Sequence, residues 1–437
     1  MPATRKWTFM VYNNYDDPMI SWMHGDILDQ LMEVGSTDEV SLVALCDAPP
    51  PLTGASTGAG TPLFHIPRKD QPQVLTPHDD WPVVELDMGH PATLVRFAGF
   101  AKRCYPAENY ALVMACHGSG WTTGKASWRS DARTDRLVRL LDTRRSGRAR
   151  RPGPMNRIVH GAGSPRGSSL GTWRASALSP DMTSQSEMST INLGLAAESI
   201  ATALGQPLDL LAFDACNMQM AEIAFQLAGS VHYQVGPEWF GRTWSYRDLC
   251  GWLTTTPDLD ARDLALAMVE SYRAHQQSLW TPRFTLSASD LTQTELLGHR
   301  LDELVDAVLA CPVALAKLHE VVRATQLLNE LFQYRDLGDF VTRLLGHPVS
   351  NPARQAGGAL LQQLDRTIIA HCVQSPPTPT GQKVSTESFL DKTTGLSISL
   401  PLFCKPGEPN TQAYLALDIA QKTRWPDFLR HPQGPKP

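Results

Sequence analysis

The sequence has no closely spaced cysteines. Its eight cysteines lie at least twelve residues apart, so it contains no CxxC pair of the kind that binds zinc or forms a redox dithiol. It also has no run of about 18 apolar residues, which argues against a membrane-spanning helix. No export signal is visible before the apolar run Trp7–Tyr12, so we expect a cytoplasmic protein with reduced thiols.

The chain also lacks an overall excess of positive charge. Its formal net charge is −5 over 437 residues, which argues against a generally basic nucleic-acid-binding protein. One segment departs from this average: residues 125–166 hold twelve Lys and Arg against three Asp, a net charge of +9. The rest of the chain, at −14, is therefore an acidic body that carries one basic segment.

Hydrophobic residues make up 42% of the chain, which is enough for a large buried core. Short apolar runs alternate with helical patterns, as is typical of an α/β protein with a largely parallel sheet covered on both faces. We predict strands over Trp7–Tyr12, Val40–Cys46, Tyr110–Cys116, Leu208–Phe213 and Val231–Val235, and helices over Ile20–Val34, Ala92–Cys104, Asn192–Leu204 and Met218–Leu227.

The pattern divides the chain into two regions. Residues 1–255 are predicted to form the α/β core, interrupted at 125–186 by a flexible insertion rich in Arg, Gly, Ser and Pro. Residues 256–437 are predicted to be mostly helical, with a late strand over Leu396–Leu400 that returns to the core.

Two reactive side chains follow buried strands. His117 comes directly after the strand that ends at Cys116, and Cys216 comes shortly after the strand Leu208–Phe213. Open α/β sheets bind their ligands at the carboxyl ends of the strands, so this pair indicates a nucleophilic thiol with a proton-transfer partner. A cysteine at a strand end more often serves only as a packed core residue. The presence of a histidine and a cysteine at the ends of two strands is what favours a catalytic role.

We expect a helix N-terminus and a neighbouring imidazolium to lower the pKa of Cys216 from about 8.5 into a range of roughly 3.5 to 7.5. Gly118 leaves the backbone bare beside His117, so its N–H and that of Cys216 could form an oxyanion hole.

The sequence resembles the clostripain-like cysteine peptidases, which are relatives of caspases, gingipains, legumains and separases. The resemblance runs in order along nearly the whole chain and is most specific at His117-Gly-Ser-Gly-Trp121 and Phe213-Asp-Ala-Cys-Asn-Met218. Further matching blocks are Trp7–Tyr12, Tyr105–Leu112, Leu286–Leu291, Tyr334–Phe340, Gly395–Pro401 and Trp425.

The resemblance implies a caspase-like α/β fold and a cysteine endopeptidase that acts on protein or peptide substrates, with Cys216 as nucleophile and His117 as general base. It also implies that Asp214 lies beside the S1 pocket, which binds the side chain before the scissile bond (P1), and favours Arg or Lys there. The alternative is a structural role, in which Asp214 caps the following helix or anchors the strand end, and both roles could hold together.

This chain departs from the family pattern at several positions. Asn217 stands where relatives carry Leu after the nucleophile, and Thr243 stands where a Gly is expected in the loop 236–246. Glu238 and Asp248 are the nearest candidates for a second S1 carboxylate. Arg242, in the same loop, would oppose a basic P1 side chain.

The basic insertion lies between His117 and Cys216, where relatives often cut themselves to mature. We predict self-cleavage between Lys125 and Arg174, with Arg145 and Arg151 as candidate sites. The alternatives are a solvated linker, or an electrostatic contact with nucleic acid or an acidic partner, which the lack of interleaved aromatic residues makes the less favoured one.

No cofactor is required by this chemistry, although calcium is known in parts of the family. Asp16, Asp17 and Asp47 offer the oxygen ligands it needs, but their spacing is not diagnostic, so the default interpretation is that these acids are solvated or cap helices. The main functional alternative is a catalytically silent caspase-like scaffold with an altered S1 loop, and a protein activator is a further expectation. The sequence does not identify the natural substrate.

Overall fold

The computed structural model describes residues 4–16, 22–47, 60–71, 74–82, 84–121, 178–181, 183–330, 332–376, 389–401 and 409–430. The strands in chain order are β1 (Arg5–Asn14), β2 (Val40–Asp47), β3 (Leu63–His65), β4 (Ala107–Ala115), β5 (Leu178–Asp181), β6 (Ser186–Met188), β7 (Leu208–Asp214), β8 (Val231–Gly236), β9 (Phe284–Asp290), β10 (Leu327–Asn329), β11 (Tyr334–Asp336), β12 (Ile368–Gln374) and β13 (Ser397–Ser399).

The α-helices are Trp22–Val34, Pro91–Cys104, Thr190–Leu204, Ala221–Leu227, Tyr246–Thr255, Ala261–Ser278, Thr294–Leu309, Pro312–Ala324, Leu337–Leu345, Asn351–Thr367, Pro409–Leu415, Asp418–Lys422 and Trp425–Arg430. Within the described part of the chain, none of them is both long and apolar enough to cross a membrane.

The central sheet has eight strands in the order β12-β9-β8-β7-β4-β1-β2-β3. The five inner strands β8, β7, β4, β1 and β2 run parallel, and β3, β9 and β12 pair antiparallel at the two edges. The strands β1, β2 and β7 are buried along nearly their whole length, as their continuous apolar sequences require. The predicted α/β fold with a largely parallel sheet is therefore confirmed.

Helices cover both faces of this sheet. The helices Pro91–Cys104, Thr190–Leu204 and Ala221–Leu227 bury their apolar sides against one face. The helices Trp22–Val34, Tyr246–Thr255 and Ala261–Ser278 bury theirs against the other. The result is a three-layer arrangement with an apolar core on each side of the sheet.

The C-terminal region contributes more than helices. It forms a third apolar cluster around Leu301, Phe340 and Trp425, as its helical pattern predicts. It also supplies β9 and β12 to the central sheet, so the sheet continues past the predicted boundary at residue 255. The predicted late strand forms as β13, and the Ser397 N–H donates to the carbonyl oxygen of Gln219 at 3.1 Å.

Candidate active site

The two sequence motifs leave the sheet side by side. Strands β4 and β7 are neighbours, with Ala115 paired to Asp214 at their carboxyl ends. One residue further on, the Cys116 N–H donates to the Asp214 carbonyl oxygen at 3.2 Å. His117 and Cys216 therefore both follow the carboxyl ends of adjacent inner strands, where parallel α/β proteins bind their ligands.

Gly118 brings the segment after His117 into direct contact with the nucleophile turn. A Cβ atom placed on Gly118 would lie 2.7 Å from the carbonyl oxygen of Cys216 and 3.0 Å from the Cβ of Ala215. Real Cβ atoms essentially never lie that close to a backbone oxygen, so the close approach of the two loops depends on glycine at this position.

The turn that carries the thiol is built around Asn217. Its φ of 59° lies in the left-handed region, which Asn tolerates better than a branched side chain does. Its N–H donates to the carbonyl of Trp239 at 2.8 Å, and its Nδ2 donates to the carbonyl of Glu238 at 3.0 Å. Asn217 therefore has a structural role, since it ties the turn that carries Cys216 to the loop after β8.

The thiol environment differs from the predicted one. Burial raises the pKa of the Cys216 thiol, although the side chain keeps some exposure to solvent. The next influence in size lowers the pKa: the Gly241 N–H donates to Sγ at 3.3 Å. The prediction of a lowered pKa is wrong, because burial is the largest influence on the thiol and raises its pKa, and the following helix begins only at Ala221.

Asp214 is the last residue of β7 and is 6% exposed. Burial raises the pKa of its carboxyl group to about 7, and a hydrogen bond donated by the Tyr246 hydroxyl at 3.0 Å partly offsets that rise. The side chain therefore does not cap the helix Ala221–Leu227, whose N-cap residue Met220 makes no side-chain bond. It is a buried carboxyl group two residues from the thiol.

Glu238 is fully buried and faces inward. Its Oε2 accepts hydrogen bonds from the Thr285 hydroxyl at 3.3 Å and the Gly395 N–H at 3.1 Å, and it lies 3.4 Å from Nε2 of His371. It also hydrogen-bonds to the carboxyl group of Asp336, whose pKa burial raises well above its ordinary value. These hydrogen bonds fix the loop after β8 to Thr285 and Gly395.

Asp248, the other candidate for a second S1 carboxylate, is exposed in the first turn of the helix Tyr246–Thr255. Its carboxylate accepts a hydrogen bond from the Ser245 hydroxyl at 2.6 Å, and the Ser245 oxygen in turn accepts from the Asp248 N–H at 3.3 Å. This reciprocal pair is a capping arrangement at a helix start.

Four carboxylates gather beyond the ends of β1 and β2. Asp16, Asp47, Glu85 and Asp181 can each bring one oxygen to within 4.8 Å of all the others. This all-oxygen set suits a hard cation such as Ca²⁺. Asp16 and Asp181 also accept backbone hydrogen bonds, from Thr183 at 2.7 Å and from Met88 at 2.8 Å. The sequence identified Asp16 and Asp47 and missed the two others, and Asp17 lies outside the described residues.

Three residues at the site were missed from the sequence. Tyr246 holds Asp214, Gly241 contacts the thiol, and Asp336 shares a hydrogen bond with Glu238. Asp336 lies in the block Tyr334–Phe340, which resembles the family pattern but was given no role. An acidic residue inside such a block was the signal that could have identified it. Arg145 and Arg151 lie outside the described residues, as does most of the basic insertion.

Residues 171–431 match the model of the clostripain family. The chain is 24% identical over 233 residues to clostripain from Hathewaya histolytica, a match that spans 51% of this chain and 36% of the length of that protein. The recognition made from the two sequence motifs is confirmed.

Solved structures with the same fold cover almost the entire chain. One is a secreted C11 cysteine protease from Bacteroides thetaiotaomicron in complex with an irreversible peptide inhibitor, with a TM-score of 0.64, 15% identity, and coverage of 96% of this chain and 99% of that one. Another is an inactive zymogen C11 protease from Parabacteroides distasonis, with a TM-score of 0.61, 16% identity, and coverage of 97% and 99%.

The expected cytoplasmic location is wrong. The Bacteroides thetaiotaomicron relative is a secreted protein. The expectation rested only on the lack of a visible export signal, and such an absence does not determine where a protein works.

Proposed function

The chain belongs to the clostripain family, and from that premise we propose that it is a cysteine endopeptidase with Cys216 as nucleophile and His117 as its proton-transfer partner. The observation that carries the proposal is the contact between the two motifs. Gly118 lies against the Cys216 carbonyl at the carboxyl edge of β4 and β7, so the two chemical groups belong to one site.

The proposed reaction begins when His117 accepts the thiol proton and Sγ of Cys216 attacks the scissile carbonyl carbon. The negative charge that forms on the carbonyl oxygen is stabilised by the N–H groups of Gly118 and Cys216. His117 then returns the proton to the departing amine, which leaves a thioester. Water attacks the thioester with His117 as base, and the carboxylic acid and the free thiol are released.

The proposed P1 preference is for Arg or Lys, and Asp214 carries it. Its buried carboxylate would pair with a basic side chain in a water-poor site, where such a pair is strong. Glu238 would contribute by fixing the loop after β8, since its partners Thr285 and Gly395 belong to other elements.

Self-cleavage between Lys125 and Arg174 is proposed as the maturation step. An Arg-rich segment between His117 and Cys216 offers several sites to an Arg-directed peptidase, with Arg145 and Arg151 as candidates. A solved relative of the same fold is an inactive zymogen, which supports a maturation step of this kind.

A calcium ion bound by the carboxylates of Asp16, Asp47, Glu85 and Asp181 is proposed as a structural ligand. It would screen their mutual repulsion near the ends of β1 and β2. Calorimetric titration of Ca²⁺ into the Cys216→Ala protein and into an Asp47→Asn derivative of it tests this proposal. Saturable binding that the second substitution abolishes is expected, and equal binding by both proteins would overturn it.

The peptidase proposal is tested with matched peptides that carry Arg, Lys, Asp or Ala at P1. Wild type should cleave the Arg and Lys peptides, and Cys216→Ala and His117→Ala should not. Mass spectrometry of the purified proteins, with and without calcium, should show a cut within residues 125–174 in wild type alone. A wild type that cleaves neither the peptides nor itself would favour the catalytically silent scaffold instead.

A further inference from the structure

Two arginines lie over the ring of Trp239, which belongs to the loop that also contacts the Cys216 thiol through Gly241. The guanidinium carbons of Arg242 and Arg283 each lie 5.6 Å from the centroid of the Trp239 ring. Trp239 is 5% exposed, so this ring forms a buried base beneath the two positive charges. A cation over an indole face is favourable, so the Trp239 ring helps to hold the guanidinium of Arg242 in place.

The loop after β8 places this pair next to the reacting atom. Gly241, whose N–H contacts Sγ of Cys216, directly precedes Arg242 in the chain. A Cβ atom on Gly241 would lie 3.5 Å from the backbone of Ala215 and 3.6 Å from the Cys216 nitrogen. One residue of chain spans at most about 3.6 Å, so Arg242 is within reach of a substrate residue adjacent to the one held in S1.

Arg242 is exposed and makes no ion pair with any described residue. Some arginines on the helices, namely Arg247, Arg273, Arg300 and Arg424, instead pair with a carboxylate of the chain itself. A guanidinium that is fixed on an indole and left without a carboxylate is prepared for an external one, which it can bind through two parallel hydrogen bonds.

We propose that Arg242, reinforced by Arg283, is a specificity-determining residue that binds an acidic side chain of the substrate residue next to P1. The inference rests on the proposed peptidase function and deepens it. Asp214 offers a buried negative charge on one side of Cys216, and Arg242 offers an exposed positive charge on another. The site is thus complementary to a substrate that has a basic residue at P1 and an acidic residue at the adjacent P2 or P1′ position.

The test uses peptides with Arg at P1 that differ only in Asp, Ala or Lys at P2, or in the same three residues at P1′. Wild type should prefer Asp over Ala at one of the two positions by roughly 3- to 30-fold in kcat/KM, the range of a partly exposed guanidinium–carboxylate pair. Lys at that position should be the poorest substrate. The preference should weaken as NaCl is raised, because salt screens exposed charges.

Three variants sharpen the result. Arg242→Ala should remove the preference for Asp, and Arg242→Glu should reverse it in favour of Lys. Arg300→Ala, which breaks only a surface pair with Glu303 on a distant helix, should keep the wild-type ratio. Thermal unfolding of each variant shows that it is folded, and the salt dependence of wild type tests the idea without any substitution.

Failure of the proposed role of Arg242 and failure of the proposed peptidase function give different results. Wild type that cleaves all the peptides alike, or a preference for Asp that survives in Arg242→Ala, overturns the role of Arg242 and leaves the peptidase intact. Wild type that cleaves none of them overturns the proposed function and this inference with it.

Discussion

The buried carboxyl group of Asp214 should make the binding of a P1 side chain pH-dependent in a range where surface carboxylates do not titrate. Its pKa is raised to about 7 by burial, against an ordinary value of 3.8. A basic P1 group binds the ionised form. Affinity should therefore be constant above pH 7 and fall about tenfold per pH unit below it, to about one hundredth of its plateau at pH 5.

Benzamidine is a suitable probe because it mimics a P1 Arg side chain and stays cationic over this range. Its dissociation constant would be measured from pH 5 to 9 in the Cys216→Ala protein, so that titration of the thiol does not enter. Thermal unfolding at each pH would confirm that the protein is folded.

Two further variants separate the carboxyl group from its partner. Tyr246→Phe removes the hydrogen bond donated at 3.0 Å to the ionised carboxylate, so the midpoint should move upward by about one to two pH units. Asp214→Asn should abolish the pH dependence and weaken binding at pH 8 by at least about 30-fold. Affinity that stays constant from pH 5 to 9, or a midpoint that falls in Tyr246→Phe, would refute the reasoning.

Three other predictions follow from contacts near the site. Gly118→Ala should lower the free energy of unfolding by about 1 to 3 kcal/mol and abolish peptide cleavage, because its Cβ would lie 2.7 Å from the Cys216 carbonyl oxygen; unchanged denaturant midpoint and activity would contradict this. Asn217→Leu should destabilise the protein by at least about 1 kcal/mol and Asn217→Gly by less, since only the former opposes a φ of 59°; equal midpoints in urea would argue otherwise. Glu222, buried with a pKa raised to about 7 from 4.5, contributes stability that is present below pH 4.5 and is lost as pH rises through 7. Glu222→Gln should therefore flatten the decline in the free energy of unfolding by up to about 3 kcal/mol, and an identical pH profile in both proteins would exclude the effect.

The sequence predicted the parallel centre of the fold because its strands are buried on both faces. The runs that became β1, β2, β4, β7 and β8 are apolar enough to be recognised without a structure. The strands β9 and β12 were not predicted. Phe284–Asp290 alternates apolar residues with Ser and Thr, and Ile368–Gln374 directly continues a helix, so neither has the pattern of a buried parallel strand.

The site was predictable where residue type and strand position coincide. His117, Gly118, Asp214 and Cys216 all lie at or just after the carboxyl ends of recognisable strands, and the structure pairs those two strands with each other. The environment of the thiol was not predictable, because it depends on Gly241 and Tyr246, which reach the site from a loop and a helix with no motif of their own. The direction of a pKa shift depends on burial, which a local sequence pattern does not contain.

The central claim is that Cys216 is the nucleophile of a peptidase. It is tested most directly by incubating wild type, Cys216→Ala and the matched control Cys250→Ala with an irreversible peptide inhibitor that carries Arg at P1, and by mapping the adduct with tandem mass spectrometry. Cys250 is fully buried, with the pKa of its thiol raised, so it should not react. One adduct is expected, on Cys216, in wild type and in Cys250→Ala, and none in Cys216→Ala. Labelling at another cysteine, or equal labelling of Cys216→Ala, would contradict it.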